Sequence, residues 1–303
     1  MMKTVQISIL ARVYGNVNAD ENIGNRITLK KFYSSEGEVL PFVSARAIKY
    51  SIREALKNSE FKTDPFVNER TVLADSGDPI TYVDNDLFGF MVPVKREKSG
   101  KGESIKRQAP VAISYFKALK NTPISTEFGA KFPKEGDSNP TPFEVEVSDF
   151  IGKLNVLIYD YIGKFKEQEL KNVKNKENLE KNGDFYVLKK EEREKRLGKF
   201  LEILLTPKYV LPRRSNSLNI PEYIIAIIVL NKKGVLPIYQ YLDYVIKDGK
   251  IEINKEKFEK LESLCKNSES ELYIIDYENI LNENIENKID VNTVIQKIKE
   301  HLL

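Results

Sequence analysis

Residues 7–57 read ISILARVYGNVNADENIGNRITLKKFYSSEGEVLPFVSARAIKYSIREALK, and this stretch decides the fold. Val5, Ile7, Ile9, Ala11 and Val13 alternate with Gln6, Ser8, Leu10, Arg12 and Tyr14, the period of a strand with one buried face. A polar loop from Gly15 to Arg26 follows, rich in glycine and asparagine, and then the hairpin-like FYSSEGEVL. Helical spacing takes over at Ser44, an N-cap three residues after Pro41, and continues to about Lys57.

The whole chain has 303 residues, of which 41% are hydrophobic, enough for one elaborated domain or two small ones. Its single cysteine, Cys265, rules out an internal disulfide and fits a reducing cytoplasm. The N-terminal MMKTVQISIL is too short in apolar residues for a secretory signal, and the apolar run at 223–230 is too short to span a bilayer. A soluble cytoplasmic protein without a membrane partner is expected. Net charge is only +3, but Lys95, Arg96, Lys98, Lys101, Lys106 and Arg107 crowd one stretch, while acidic residues prevail from Lys247 onward. This is either a positive surface for a polyanion or a general lysine and asparagine bias.

Further along, 61–104 is punctuated by Gly, Pro and Asp and reads as an inserted lobe. A strand begins near Ala109. Four prolines and two glycines make 121–142 a long loop, and FEVEV and KLNVLIYDYI read as two strands. The charged, asparagine-rich 164–181 is a solvated helix or a mobile connection. An amphipathic helix over 188–205, a central strand at 223–230 and an Asp-Gly hairpin in VIKDGKIEI come next. A charged helix, the strand LYIIDY and a terminal helix close the chain. Reduced to its core, this is an α+β protein with the ferredoxin-like order βαββαβ, an RRM-like palm carrying long insertions.

On the helix from Ser44, Arg46, Lys49, Tyr50, Arg53 and Lys57 fall within roughly a 100° arc beside the apolar arc of Ile48, Ile52 and Leu56. Phosphates could lie along that ridge, with the free N–H groups of the first turn as further donors; alone, such a ridge reads first as an ordinary solvated face. The preceding loop, with Asn16 and Asn18, can bring backbone close to a sugar-phosphate chain, and Arg12, Arg26, Lys30 and Lys31 add charge. The plain alternative is a long polar turn. Leu87-Phe88-Gly89-Phe90-Met91-Val92 is similar to an aromatic RRM strand motif, but Asp86-Leu87 stands where a basic-Gly start belongs, so lobe core is the better reading. The only histidine, His301, is third from the end, so histidine-based catalysis and His-rich metal sites are not expected, and no cofactor or metal is. Ser99-Gly100-Lys101-Gly102 lacks the spacing of a P-loop.

GNVNADENIGNR, PFVSARAIKYSIREAL, DLFGFM, KRQAPVAIS and NPTPFEVE, in this order and reaching to about residue 230, resemble the DevR-type branch of the Cascade backbone proteins. These form CRISPR-associated family seven of the repeat-associated mysterious protein superfamily. The resemblance implies a palm over 1–60 and 105–303, a finger-like lobe at 61–104 and thumb-type loops near 121–142 and 206–221. It implies a subunit that polymerises head to tail along the guide crRNA of a type I complex, beside other Cascade subunits, with target DNA recognised through the guide. Guide contacts would come from Asn18, Arg26, Ser44, Arg46 and Lys49, and from Arg213, Arg214 and Asn216 in LPRRSNSLNIPEY. Lys106 and Arg107 join them from the basic stretch. No catalytic role is expected, and the superfamily's repeat-cleaving nucleases commonly use histidine. Backbone subunits of type III complexes cut bound RNA with a loop aspartate, which makes Asp20 and Asp75 outside candidates. A DNA-binding autoregulator and a plain structural protein are the remaining alternatives.

Overall fold

In a computed structural model, which describes residues 2–17, 19–69, 72–93, 104–134, 136, 139–212, 218–281 and 285–303, the N-terminal alternation becomes β1, Thr4–Gly15. A hairpin of β2, Ala19–Ile23, and β3, Arg26–Leu29, leads to the short β4, Lys31–Tyr33, and β5, Val39–Val43. Ser44 then caps α1, Ala45–Lys57, its hydroxyl accepting the Ala47 N–H at 3.3 Å. The next segment holds β6, Val67–Glu69, β7, Val72–Ala74, the one-turn α2, Val83–Phe88, and the hairpin of β8, Phe90–Pro93, and β9, Ser104–Arg107. Then come β10, Val111–Ile113, β11, Phe116–Ala118, β12, Ile124–Lys131, and the nineteen-residue β13, Thr141–Tyr159.

A small sheet of β14, Lys164–Lys166, β15, Leu179–Asn182, and β16, Phe185–Leu188, precedes α3, Lys190–Leu205, and β17, Glu222–Asn231. The Asp-Gly hairpin is β18, Tyr244–Lys247, and β19, Lys250–Ile253, with Asp248 and Gly249 both at positive φ, as a type I′ turn requires. The chain ends with α4, Lys255–Asn267, β20, Glu271–Asp276, and α5, Val291–Leu302.

The fold is mixed α/β, built on one large, mainly antiparallel sheet of eleven strands among the described residues. Its main path runs β20–β17–β1–β13–β11–β5–β4, and β10, β12 and β3 also pair with β13. β1 and β13 pair along their length, from Thr4 opposite Tyr159 to Gly15 opposite Ser148. On one face, Ile48 and Ile52 of α1, Leu197 and Phe200 of α3 and Ile298 of α5 pack with Ile7, Ile9 and Val156. On the other, Phe258 and Leu261 of α4 cover Ile225, Ile227 and Val229. β17 is therefore buried on both faces, which is why its sequence is continuously apolar rather than alternating.

Two expectations are revised. The segment 121–142 is no long loop: β12 folds back on β13 from Ile124 opposite Ser148 to Lys131 opposite Thr141, and FEVEV and KLNVLIYDYI are one strand. The segment 164–181 is neither a solvated helix nor a free connection: apart from one 3-10 turn at Glu167–Leu170, it is held by β14 and β15, which both pair with β16.

The DLFGF stretch is core, as its sequence indicates. Leu87, Phe88 and Phe90 are buried, and Gly89 sits at φ +70 where a Cβ would lie 2.4 Å from the Arg107 carbonyl oxygen. Its first residue, Asp86, is the hub that ties this segment to the rest of the fold. The buried carboxylate accepts from Arg107 Nη2 at 2.6 Å, from Arg196 Nη1 at 3.0 Å and from the Gly163 N–H at 3.1 Å. Arg107 also donates to the Lys164 carbonyl and to Glu169, so α2, β9, α3 and the turn after β13 share one network. Removing the central carboxylate would strand two buried guanidinium groups. Asp86→Ala is therefore expected to cost about 3–5 kcal/mol in urea unfolding, against a small effect for a solvated aspartate.

Lys153 of β13 is partly buried and donates to the carbonyls of Tyr239 and Leu242 at 2.7 and 3.0 Å. Burial lowers its ammonium pKa to about 8. Between about pH 8 and the ordinary lysine value the unfolded chain holds this proton more tightly than the folded one, so stability from this group rises with pH across that window. Relative to Lys153→Met, the natural protein should gain stability from pH 8 to pH 10, by at most about 1.4 kcal/mol per unit. A constant difference in melting between the two proteins would contradict the assignment.

Candidate nucleic-acid interface

The ridge on α1 divides in two. Arg46 is exposed, joins no ion pair among the described residues, and stands in a first turn without acidic residues. The partial positive charge of the helix start is thus unopposed there. Lys57 at the far end is also exposed. Between them, Lys49 lies over the Phe88 ring at 5.5 Å, and burial, followed by the charge of Arg53, lowers its pKa. Arg53 turns into the 61–104 segment: its Nε donates to the buried Asp84 at 2.6 Å, and its guanidinium sits 4.7 Å over the Phe66 ring. The middle of the ridge therefore anchors the segment 61–104, and its two ends face solvent.

The first loop and hairpin pair their charges internally. Arg12 makes a two-armed ion pair with Glu278, whose hydrogen bond raises the Arg12 pKa. Arg26 pairs with Glu144 at 2.6 Å, Lys31 with Glu146 at 2.8 Å, and Lys30 approaches Asp20 at 3.8 Å. Burial pushes the Glu146 carboxyl up, but Lys31 and the Leu29 N–H hold it below its usual range. A cleft of about 770 Å³ opens between the β2–β3 hairpin and the β12–β13 arm. Asp20, Glu21, Glu144 and Glu146 line it against only Arg26 and Lys31, so it repels phosphate on balance.

Two expected contacts are corrected. Asn16 is 1% exposed, and its Nδ2 donates to the Glu146 carbonyl at 2.7 Å, so it orders the loop from inside. Arg107 has no exposed side-chain surface and belongs to the Asp86 network. A charge-dense sequence window hid this, because its partners lie far along the chain. Lys106, its neighbour on β9, is exposed. Ser44 serves as the cap of α1. Asn18, Arg213, Arg214 and Asn216 lie outside the described residues.

Asp20 is exposed on β2. Asp75, after β7, has its carboxyl pKa raised by burial against the opposing Met91 N–H at 3.4 Å. Among the described residues no three His, Cys, Asp or Glu side chains are grouped to hold a metal ion, and no helix is long and apolar enough to cross a membrane. His301 is buried, its Nε2 3.1 Å from the Asn231 carbonyl.

Sequence reading also missed an aromatic group on the open face of the sheet. Phe32 of β4 stacks on Phe42 of β5 with centroids 4.1 Å apart, and Tyr115 meets both edge-on at 5.7 and 5.2 Å. Period-2 alternation in β4 and β5 is the only signal that could have paired them.

Residues 8–207 match the family model "CRISPR-associated negative auto-regulator DevR/Csa2". No curated protein matches the chain. Among solved structures, a chain of a "CRISPR RNA-guided surveillance complex" aligns with a TM-score of 0.58 at 13% identity, covering 97% of this chain and 99% of its own. A chain of a "CRISPR RNA-guided surveillance complex, pre-nicking" aligns with a TM-score of 0.60 at 13% identity, covering 99% and 100%. These likenesses are of fold. With two thirds of its length matched by one family model, the chain belongs to the CRISPR-associated DevR/Csa2 family.

Proposed function

We propose that this protein is a non-catalytic backbone subunit of a type I CRISPR effector, Cascade, binding guide crRNA in the cytoplasm. Copies of the chain would line the guide head to tail as an open filament alongside other Cascade subunits, leaving the bases free to pair with target DNA. Family membership and the fold shared with surveillance-complex chains support the reading. The strand order β17–β1–β13–β10, all antiparallel, with α1 and α3 on one face, supports a ferredoxin-like palm in this reading. In this reading 61–104 is the finger-like lobe, and the β12–β13 arm with 206–221 supplies the thumb.

The observation that carries the proposal is the unopposed positive end of α1, where Arg46 stands exposed and unpaired among the described residues. Arg46 would bind phosphate with Lys49, Lys106, Lys30 and the loop residue Asn18, and Arg213, Arg214 and Asn216 would contribute from the thumb. Arg12, Arg26, Lys31 and Arg53 are committed to carboxylates and would act by shaping the surface. Arg46→Glu should lower affinity for guide-length single-stranded RNA about tenfold or more, with melting unchanged. Undiminished affinity would overturn the assignment.

The family's description as an auto-regulator favours one second reading, binding to a promoter duplex. Tight duplex binding in the absence of guide RNA, greater than that for single-stranded RNA, would establish it. RNA cleavage through Asp20 or Asp75 has less support, since these carboxylates lie on separate elements. Asp20→Ala and Asp75→Ala are expected to leave the fate of a complementary RNA unchanged in a cleavage assay. Loss of a cleavage product in either variant would make the protein a nuclease.

A further inference from the structure

We propose that Phe32, Phe42 and Tyr115 form a base-stacking platform for the guide strand, on the face of the sheet opposite α1, α3 and α5. The inference rests on the RNA-binding reading above and adds a second contact surface to it.

The face is fixed by register. Phe42 lies directly opposite Lys117, and Lys117 directly opposite Lys153, so their side chains share one side of the sheet. Lys153 reaches the carbonyls of Tyr239 and Leu242 on the side that α4 covers, whereas Phe116 and Val43 face the helices. The three rings therefore lie at the edge of the open side, beyond the cover of the C-terminal segment. Phe32 is 40% and Tyr115 51% exposed, although both are in ring contact. The rings brace one another edge-on and face-on, and the exposed aromatic surface remains available for a flat partner.

Chemistry selects that partner. β4, β5 and β11 carry not one carboxylate, and Lys117 is exposed on the side of the rings, so the strip is apolar and cationic. A polyanion with aromatic bases complements it better than a second protein surface, which would bury Lys117 against apolar rings. Three adjacent strands span roughly 10 Å, room for one or two bases. Single-stranded nucleic acid binds proteins through this pairing of stacking rings and flanking cations.

The test uses the full chain and a single-stranded oligoribonucleotide carrying 2-aminopurine at one position, moved stepwise along the strand. On wild-type protein at least one position should be quenched by stacking. Phe32→Leu and Tyr115→Leu, made singly and together, should remove that quench and weaken binding by roughly fivefold to a hundredfold. Phe32→Tyr with Tyr115→Phe should restore both. Both positions are solvent-exposed, so melting of the single variants should match wild type. If the leucine variants quench and bind as wild type does, the platform is overturned and the α1 surface alone holds the RNA. If wild type takes up no RNA, both readings fail. If the leucine variants instead lose self-association without RNA and keep the quench, the face belongs to a second copy of the chain and the proposal is overturned.

Discussion

One strand sets the geometry of this molecule. The nineteen residues of β13 hydrogen-bond to β1, β10, β11, β12 and β3, so the central strands, the β12 arm and the first hairpin all take their positions from a single backbone. Its alternation divides the interior: Phe150, Leu154, Val156 and Ile158 point to the helices, while Ile151 and Lys153 point to the C-terminal cover. A slip of one residue would exchange those two sets, which is why this register is strongly specified.

Charge is then sorted by burial. Asp86, Arg107 and Arg196 are sealed together, and breaking that network is costly because the remaining charges have no water to turn to. Arg53 makes a similar commitment to Asp84. At the first hairpin, carboxylates from β13 absorb Arg26 and Lys31. Among the described residues, what remains free is narrow: the start of α1 and scattered exposed lysines. Internal pairs remove equal numbers of each sign, so the net charge of +3 does not reveal where the free positive charge gathers.

The elements legible in the sequence were those fixed by local pattern. β1 announced itself by alternation, α1 by Ser44 and its apolar arc, β17 by an uninterrupted apolar run, and the β18–β19 turn by Asp-Gly. The arm was not legible, because its prolines, at 123, 133, 140 and 142, seemed to forbid a strand. They in fact lie outside β12 or at the first turn-side residues of β13, where a missing N–H costs little. At the candidate site, Arg46 was placed correctly on an open helix face, but Asn16 and Arg107 looked like surface residues. Their burial depends on Glu146, Asp86 and Glu169, partners that only tertiary structure brings near. The Phe32–Phe42–Tyr115 group was hidden for the same reason, while the aromatic motif in 87–92 is core through Leu87, Phe88 and Phe90, as its sequence indicates.

The central claim is that a cationic surface holds an RNA backbone without reading its sequence. The most direct measurement is the affinity for guide-length single-stranded RNA across a salt series, with the natural repeat-containing sequence and a scrambled one compared. Log affinity should fall linearly and steeply with log salt, with a slope of about −0.7 per phosphate engaged, and the two sequences should give nearly the same line. A flat salt response, or strong preference for one sequence at every salt concentration, would contradict it.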